Sequence, residues 1–484
     1  MTRYFNLLFL LSWAIIPFSC HTPGEKADEL STPRPPNIVL IIADDMAWDD
    51  SGAYGHPHIQ TPNIDKLAHE GMKFTNAFLT TSSCSPSRSS IITGRYPHQT
   101  GAEQLHMPLP GDQVTFVEKL REAGYWTAQA GKWHLGNAVK ERFNLLAEDS
   151  VEVLLTDQMD SAEQEFLRKG DGSGCHLWVS LLQHRPMDKP FFLWLAATDP
   201  HRGYREGAIP KPHVPGDALI PPYIPDTEEV RKDFALYYDE ISRLDSYVGR
   251  VMDELDRQGV AENTLILFIS DNGRPFPRCK TTLYDGGIKT PWIVRWPARV
   301  PGESVSEALV SSVDIARSFL SVAGLTAGET FMGKDFIPVL SHPDTAIREF
   351  IIGEDHWHDH DDYTRAVRSS TLKYIKNYYP ELPNTPPADA LKGGTYLSME
   401  ALRAEGKLDS LQLSVYRAPR PVEELYDIKH DPHELNNLAL VPDFADSLQK
   451  MRGILEEFRQ STGDKLPAQR TPDRFSRNTG DRIQ

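Results

Sequence analysis

Three stretches of the chain carry apolar residues almost without interruption: residues 37–43 (NIVLIIA), 191–197 (FFLWLAA) and 264–269 (TLILFI). A continuous, β-branched run of this length suits a strand covered on both faces, as in a parallel sheet. Each run stops at polar residues: Asp44-Asp45, Asp199-Pro200-His201, and Ser270-Asp271-Asn272-Gly273. In open α/β sheets, ligands bind outside the carboxyl ends of the strands. Asp44, Asp45, His201, Asp271 and Asn272 are therefore expected at one site. One such residue alone would be read as the cap of a following helix. Three strand ends with the same habit favour a shared site.

Between the strands the apolar spacing changes to the helical period. Thr61-Pro62 opens a helix that Gly71 closes, with Ile64, Leu67 and Ala68 turned inward. Val230, Phe234, Tyr237, Ile241, Leu244, Val248, Val251 and Leu255 trace one stripe along a long helix, which reads as packing against the sheet. Strands alternating with helices predict an α/β, doubly wound fold with a mostly parallel sheet flanked by helices. After about Phe350 the texture shortens to strand-like pieces at 365–368 and 371–376 and a last helix near 444–458. The expected organisation is a catalytic α/β domain over 37–350 and a small α+β subdomain over 351–484.

The formal net charge of −17 argues against a nucleic-acid partner, which calls for a basic surface. An anionic substrate would have to be held by a local cluster of cations. Residues 1–20 read as a targeting segment: Arg3, an apolar run too short to span a membrane comfortably, then Ser19-Cys20. That ending resembles a bacterial lipoprotein processing site, although Pro17 and Phe18 fit it poorly. Export is expected, to the periplasm or cell surface, with any membrane attachment made through a lipid on Cys20. Residues 21–36 are polar and proline-rich, the composition of a tether.

The segment Cys84-Ser85-Pro86-Ser87-Arg88, continued to Thr93-Gly94-Arg95, resembles the signature of the sulfatases, an alkaline-phosphatase-like family. Gly131-Lys132-Trp133-His134-Leu135-Gly136 resembles the second signature of that family, and Glu424-Leu425-Tyr426-Asp427 its C-terminal pattern. The resemblance implies that a maturation enzyme oxidises Cys84 to formylglycine (3-oxoalanine), whose hydrate attacks the sulfate ester. It implies one calcium ion on Asp44, Asp45, Asp271 and Asn272 that also touches residue 84. Four oxygen donors suit such a hard cation. It further implies that Arg88 and Lys132 bind the anion, that His134 is the base for sulfate expulsion, and that His201 and Lys280 assist the leaving oxygen. Lys289 competes with Lys280 for the last place, and the spacing before Tyr284-Asp285-Gly286-Gly287 favours Lys280. If Cys20 and Cys84 are so modified, Cys175 and Cys279 remain and can pair with each other. The histidines of Asp355-His356-Trp357-His358-Asp359-His360 read as a solvated acidic loop, with Trp357 at a rim that meets sugar.

Around Asp271 and His201 the motifs resemble heparan N-sulfatases and bacterial polysaccharide sulfatases more than simple arylsulfatases. The resemblance implies a sulfated oligo- or polysaccharide substrate, either a glycosaminoglycan or an algal polymer such as ulvan. Two other readings stay open: a phosphatase or phosphodiesterase of the same superfamily, which would call for two zinc ions and more histidine ligands, and a non-catalytic binder of sulfated glycans.

Overall fold

The three apolar runs form the middle of an eight-stranded sheet. Its strands are β1 (Asn37–Ala43), β2 (Met72–Phe74), β3 (Trp126–Gly131), β4 (Leu145–Leu146), β5 (Phe191–Ala196), β6 (Thr264–Ser270), β7 (Trp292–Arg295) and β8 (Ser304–Ser306). Their spatial order is β4-β3-β5-β1-β6-β7-β2-β8. β1 is parallel to both neighbours, with Ile38 opposite Phe192 on one side and Leu265 on the other. Only β7 runs antiparallel to its neighbours, β6 and β2. The sheet is mostly parallel, as the apolar runs predict. This computed structural model describes residues 1–2 and 34–483. The targeting segment, including Cys20, and most of the tether lie outside the described residues. Pro35 onward forms one compact unit.

Both faces of the central strands are dry, and the two-residue period divides them. Val39, Ile41, Leu193, Leu195, Ile266 and Phe268 belong to one core with the apolar stripe of the long helix. Ile38, Leu40, Ile42, Trp194, Leu265 and Leu267 belong to the other. The flanking helices are α1 (Pro62–His69), α2 (Cys84–Thr93), α3 (Glu228–Arg257) and α4 (Asp314–Val322). α3 starts where the Thr227 hydroxyl accepts from Val230 N and two glutamates fill the first turn. Each fully buried Leu, Ile or Phe here contributes roughly 1.5–3 kcal/mol, so the carboxyl ends of β1, β5 and β6 stand on a rigid platform.

A second, antiparallel sheet follows: β9 (Phe350–Asp355), β10 (Thr364–Ser369), β11 (Leu372–Asn377) and β12 (Glu423–Asp427), in that spatial order. Helices α5 (Gly394–Ala404) and α6 (Ala445–Thr462) accompany it. The joint to the main sheet is polar and buried. Lys373 of β11 reaches Asp285 at 2.5 Å and Glu434 at 2.8 Å, and Arg368 of β10 reaches Asp285 at 3.1 Å.

Candidate active site

Asp44 and Asp45 follow β1 directly, and Asp271 and Asn272 follow β6. Backbone bonds lock these ends together: Asp271 N donates to Ala43 O at 3.1 Å, and Asp44 N to Asp199 O at 2.9 Å. Asp45 takes a left-handed backbone, φ 74°, a conformation that aspartate tolerates better than most residues. Its amide donates to Asp271 Oδ1 at 3.3 Å. The strand ends thus bring together four side chains that the chain keeps far apart.

Cys84 is the first residue of α2, and every residue of that helix is buried. No side chain caps its N-terminus, so the first-turn N–H groups and the helix dipole favour an anion there. Arg88, one turn on, donates through Nε to Asp271 Oδ2 at 2.8 Å and through Nη1 to Lys132 O at 2.9 Å. The Lys132 ammonium is bonded to Asp44 Oδ2. Lys280 grips both oxygens of Asp45, at 2.6 and 2.8 Å. Asn272 Nδ2 donates to Asp45 Oδ1 at 2.6 Å. Cys84 Sγ lies 3.8 Å from that same oxygen. His201 Nε2 is 3.9 Å from Asp45 Oδ2. These contacts bring Asp44, Asp45, Cys84, Arg88, Lys132, His201, Asp271, Asn272 and Lys280 together. Lys289 is not among them: its ammonium sits 3.7 Å above the Trp48 ring.

Burial sets the protonation of these groups. It pushes the Cys84 thiol well above its ordinary value, more than Lys132 and Lys280 pull it down. The unmodified side chain is a thiol at neutral pH and a poor nucleophile. Burial, then Lys132 and Arg88, drive His134 down to about 2, so its imidazole is neutral. His134 Nε2 shares a 2.7 Å hydrogen bond with His106 Nδ1, and its buried Nδ1 has no partner. Asp271 is raised by its burial and by the charge of Asp44, a strain that a cation among these carboxylates would relieve.

The donor set fits such a cation. Among the described residues, Asp44, Asp45, Cys84 and Asp271 offer ligand atoms that all lie within 4.8 Å of one another. The buried oxygens Asp44 Oδ1 and Asn272 Oδ1 accept no hydrogen bond. Hard oxygen donors with spare lone pairs suit calcium or magnesium better than zinc.

Over Cys84 opens a cavity of about 380 Å³, lined at its base by Cys84, Lys132, His134, His201 and Lys280. Its sides come from residues that sequence reasoning missed: Leu105, His106, Asp389, Lys392, Phe475 and Gly480. No motif marks them. The histidine-rich stretch was noticed but misread as solvated. His356, His358 and His360 are 7%, 6% and 3% exposed, and Trp357 is 4% exposed. His358 Nδ1 meets Ser83 Oγ at 2.7 Å and faces the cavity beside Asp359. Hydrophilic composition suggests water, whereas His356, His358 and Trp357 are buried with polar partners and His360 is buried without a side-chain hydrogen bond. The open question of a Cys175–Cys279 pair is answered by their positions: they are not bonded to each other. Both are free and buried, Cys175 Sγ donating to Ser173 O and Cys279 Sγ meeting the Tyr223 hydroxyl.

A sulfatase family profile matches residues 36–325, and a profile described as N-sulphoglucosamine sulphohydrolase, C-terminal, matches residues 278–381. The chain is 31% identical to an ulvan-active sulfatase of Formosa agariphila, over 91% of this chain and 77% of that protein. It is also 31% identical to the N-sulphoglucosamine sulphohydrolase of Homo sapiens, over 89% and 91%. Among solved structures, BT4656 in complex with its substrate D-glucosamine-2-N,6-O-disulfate superposes with a TM-score of 0.67 at 20% identity, covering 90% of this chain and 99% of that one. At that identity the likeness speaks for the fold.

Proposed function

This chain belongs to the sulfatase family, and from that premise we propose that it hydrolyses the sulfate ester or N-sulfate of a sulfated carbohydrate, a glycosaminoglycan or an algal polysaccharide such as ulvan. The names of its relatives support that substrate class. The observation that carries the reading is the ring of Arg88, Lys132, His134, His201 and Lys280 around Cys84 at the start of a buried helix. Arg88, Lys132 and Lys280 balance the charges of Asp271, Asp44 and Asp45, so a cation bound among these carboxylates would turn the site positive toward an anion.

Oxidation of Cys84 to formylglycine by a maturation enzyme would supply a hydrated aldehyde as the nucleophile. Asp44, Asp45, Asp271 and Asn272, with residue 84, would hold one Ca²⁺, which polarises sulfate oxygens when bound. The remaining work falls to side chains. Arg88 holds Asp271 in place and adds positive charge beneath the sulfate. Lys132 and Lys280 receive sulfate oxygens in exchange for their carboxylate partners. His201, as the imidazolium, donates its Nε2 proton to the leaving oxygen while its Nδ1–H donates to Arg202 O at 2.6 Å. His134, held neutral, accepts a proton when sulfate departs. We further propose that the protein works outside the cytoplasm, exported and tethered through Cys20.

The test is release of inorganic sulfate from a panel of sulfated oligosaccharides by protein co-produced with a formylglycine-generating enzyme. Activity should vanish with chelator and return with Ca²⁺, and the Cys84 peptide should be about 18 Da lighter than its thiol form, as the nucleophile chemistry requires. Release of phosphate in place of sulfate, or stoichiometric zinc, would overturn the reading in favour of the phosphatase branch.

A further inference from the structure

The cavity has a basic floor and an acidic wall. Outside the ring around Cys84, its charged lining consists of Asp359, Asp389 and Lys392, and Lys392 is 3.1 Å from Asp481. Asp389 stands out. Its side chain caps a short turn by accepting from Ala390 N at 2.8 Å through Oδ1. Its other oxygen, Oδ2, is buried, accepts no hydrogen bond, and lies 3.8 Å from His201 Nε2. Since His201 Nδ1 is bonded to Arg202 O, Nε2 is the nitrogen that faces the leaving oxygen. The Asp389 carboxylate therefore borders the cavity beside His201.

The spacing of the two groups is built in. Arg202, next to His201, is clamped by both oxygens of Asp233 at 2.9 Å. Asp233 Oδ2 also accepts from Thr395 N at 3.0 Å, in the segment that carries Asp389. A Cβ on Gly393 would come within 2.4 Å of Arg202 Nη1, and one on Gly480 within 2.3 Å of Ala388 O. The segment around Asp389 has little room to shift.

We propose that Asp389 selects the substrate: its carboxylate, which lines the cavity, accepts a hydrogen bond from a hydroxyl on the ring carbon next to the one bearing the scissile sulfate. This rests on the glycan-sulfatase reading above. The preferred sugar then carries a free vicinal hydroxyl, and a second sulfate or a carboxylate at that position is rejected, because it would face Asp389 unpaired. A hydroxyl held by a carboxylate also discriminates strongly, since its loss leaves a buried charged acceptor without a partner.

The experiment is a cycle that crosses one protein change with one substrate change. Matured wild type is first screened on monosulfated methyl hexopyranosides, and the best is compared with its analogue lacking the vicinal hydroxyl. Wild-type kcat/KM should fall about 10- to 100-fold on loss of that hydroxyl. In Asp389→Asn, which retains the turn cap, and in Asp389→Ala the two sugars should differ by no more than about threefold. The vicinally disulfated sugar should be turned over relatively better by Asp389→Ala than by wild type. An equal loss on both sugars in both variants would mean that Asp389 only orients His201, and would overturn the assignment while leaving the sulfatase reading intact. Failure of wild type to release sulfate from any sugar would overturn both.

Discussion

At the scale of single residues, two histidines of the site sit in different surroundings and predict different phenotypes. His201 is partly open to the cavity and faces carboxylates, Asp45 and Asp389. His134 is buried beside Lys132 and pushed down to about 2. The first faces groups that favour its charged, proton-donating form; the second is held neutral, so any proton it handles must be one it accepts. His201→Ala should therefore lose roughly 10²–10⁴-fold in kcat/KM on sugar sulfates, whose alcohols leave poorly, and far less on 4-nitrophenyl sulfate. His134→Ala should slow both classes by a similar factor. Steady-state kinetics on the two substrates checks the contrast, and equal losses in both variants would show the roles to be wrongly divided. These residues were legible in the sequence because each lies in a short motif or at a strand end, where covalent spacing alone fixes the neighbourhood. His106, Asp389 and Phe475 were not legible. They reach the cavity through tertiary packing, and nothing in their local sequence distinguishes them from surface polar or aromatic residues.

At the scale of elements, the position of Lys280 depends on a joint some distance from the chemistry. Asp285, shortly after Lys280, is buried between Arg368 and Lys373 of the antiparallel sheet, and its amide donates to Glu434 Oε2 at 2.6 Å. Both cations hold its carboxyl well below the usual range despite burial. Asp285→Ala should leave Arg368 without its carboxylate and Lys373 with Glu434 alone, and cost about 3–5 kcal/mol, read as a drop in denaturant midpoint. The same variant should lose activity at temperatures where it is still folded, as the Lys280 loop loosens. A stability loss without any change in the kinetics of the folded enzyme would separate the joint from the site. The three central strands β1, β5 and β6 and the long helix could be read directly from their apolar periods, to within a residue or two, whereas the shorter β2, β3, β4, β7 and β8 could not. β9 to β12 were harder. They are short, partly polar, and stabilised by ion pairs across the joint, and a hydropathy pattern does not register these.

At the scale of the whole molecule, the cavity is closed by the end of the chain. Phe475 and Gly480 line it, Pro472 O accepts from Trp357 Nε1 at 2.9 Å, and Arg477 bonds Asp361 O at 2.7 Å. Deletion of residues 467–484 touches neither sheet. It should leave the far-ultraviolet circular dichroism nearly unchanged while lowering kcat/KM on sugar sulfates more than on 4-nitrophenyl sulfate. Global unfolding of the truncated protein would show that the tail is structural instead. The division of the cavity has a further consequence, for descent. The residues around Cys84 all come from before Lys280, while the opposing wall, apart from Leu105 and His106, comes from His358 onward. Outside Arg368, Lys373 and His358, which brace the earlier stretch, substitutions can accumulate in the later one, so a lineage can exchange one sugar for another while inheriting its chemistry unaltered.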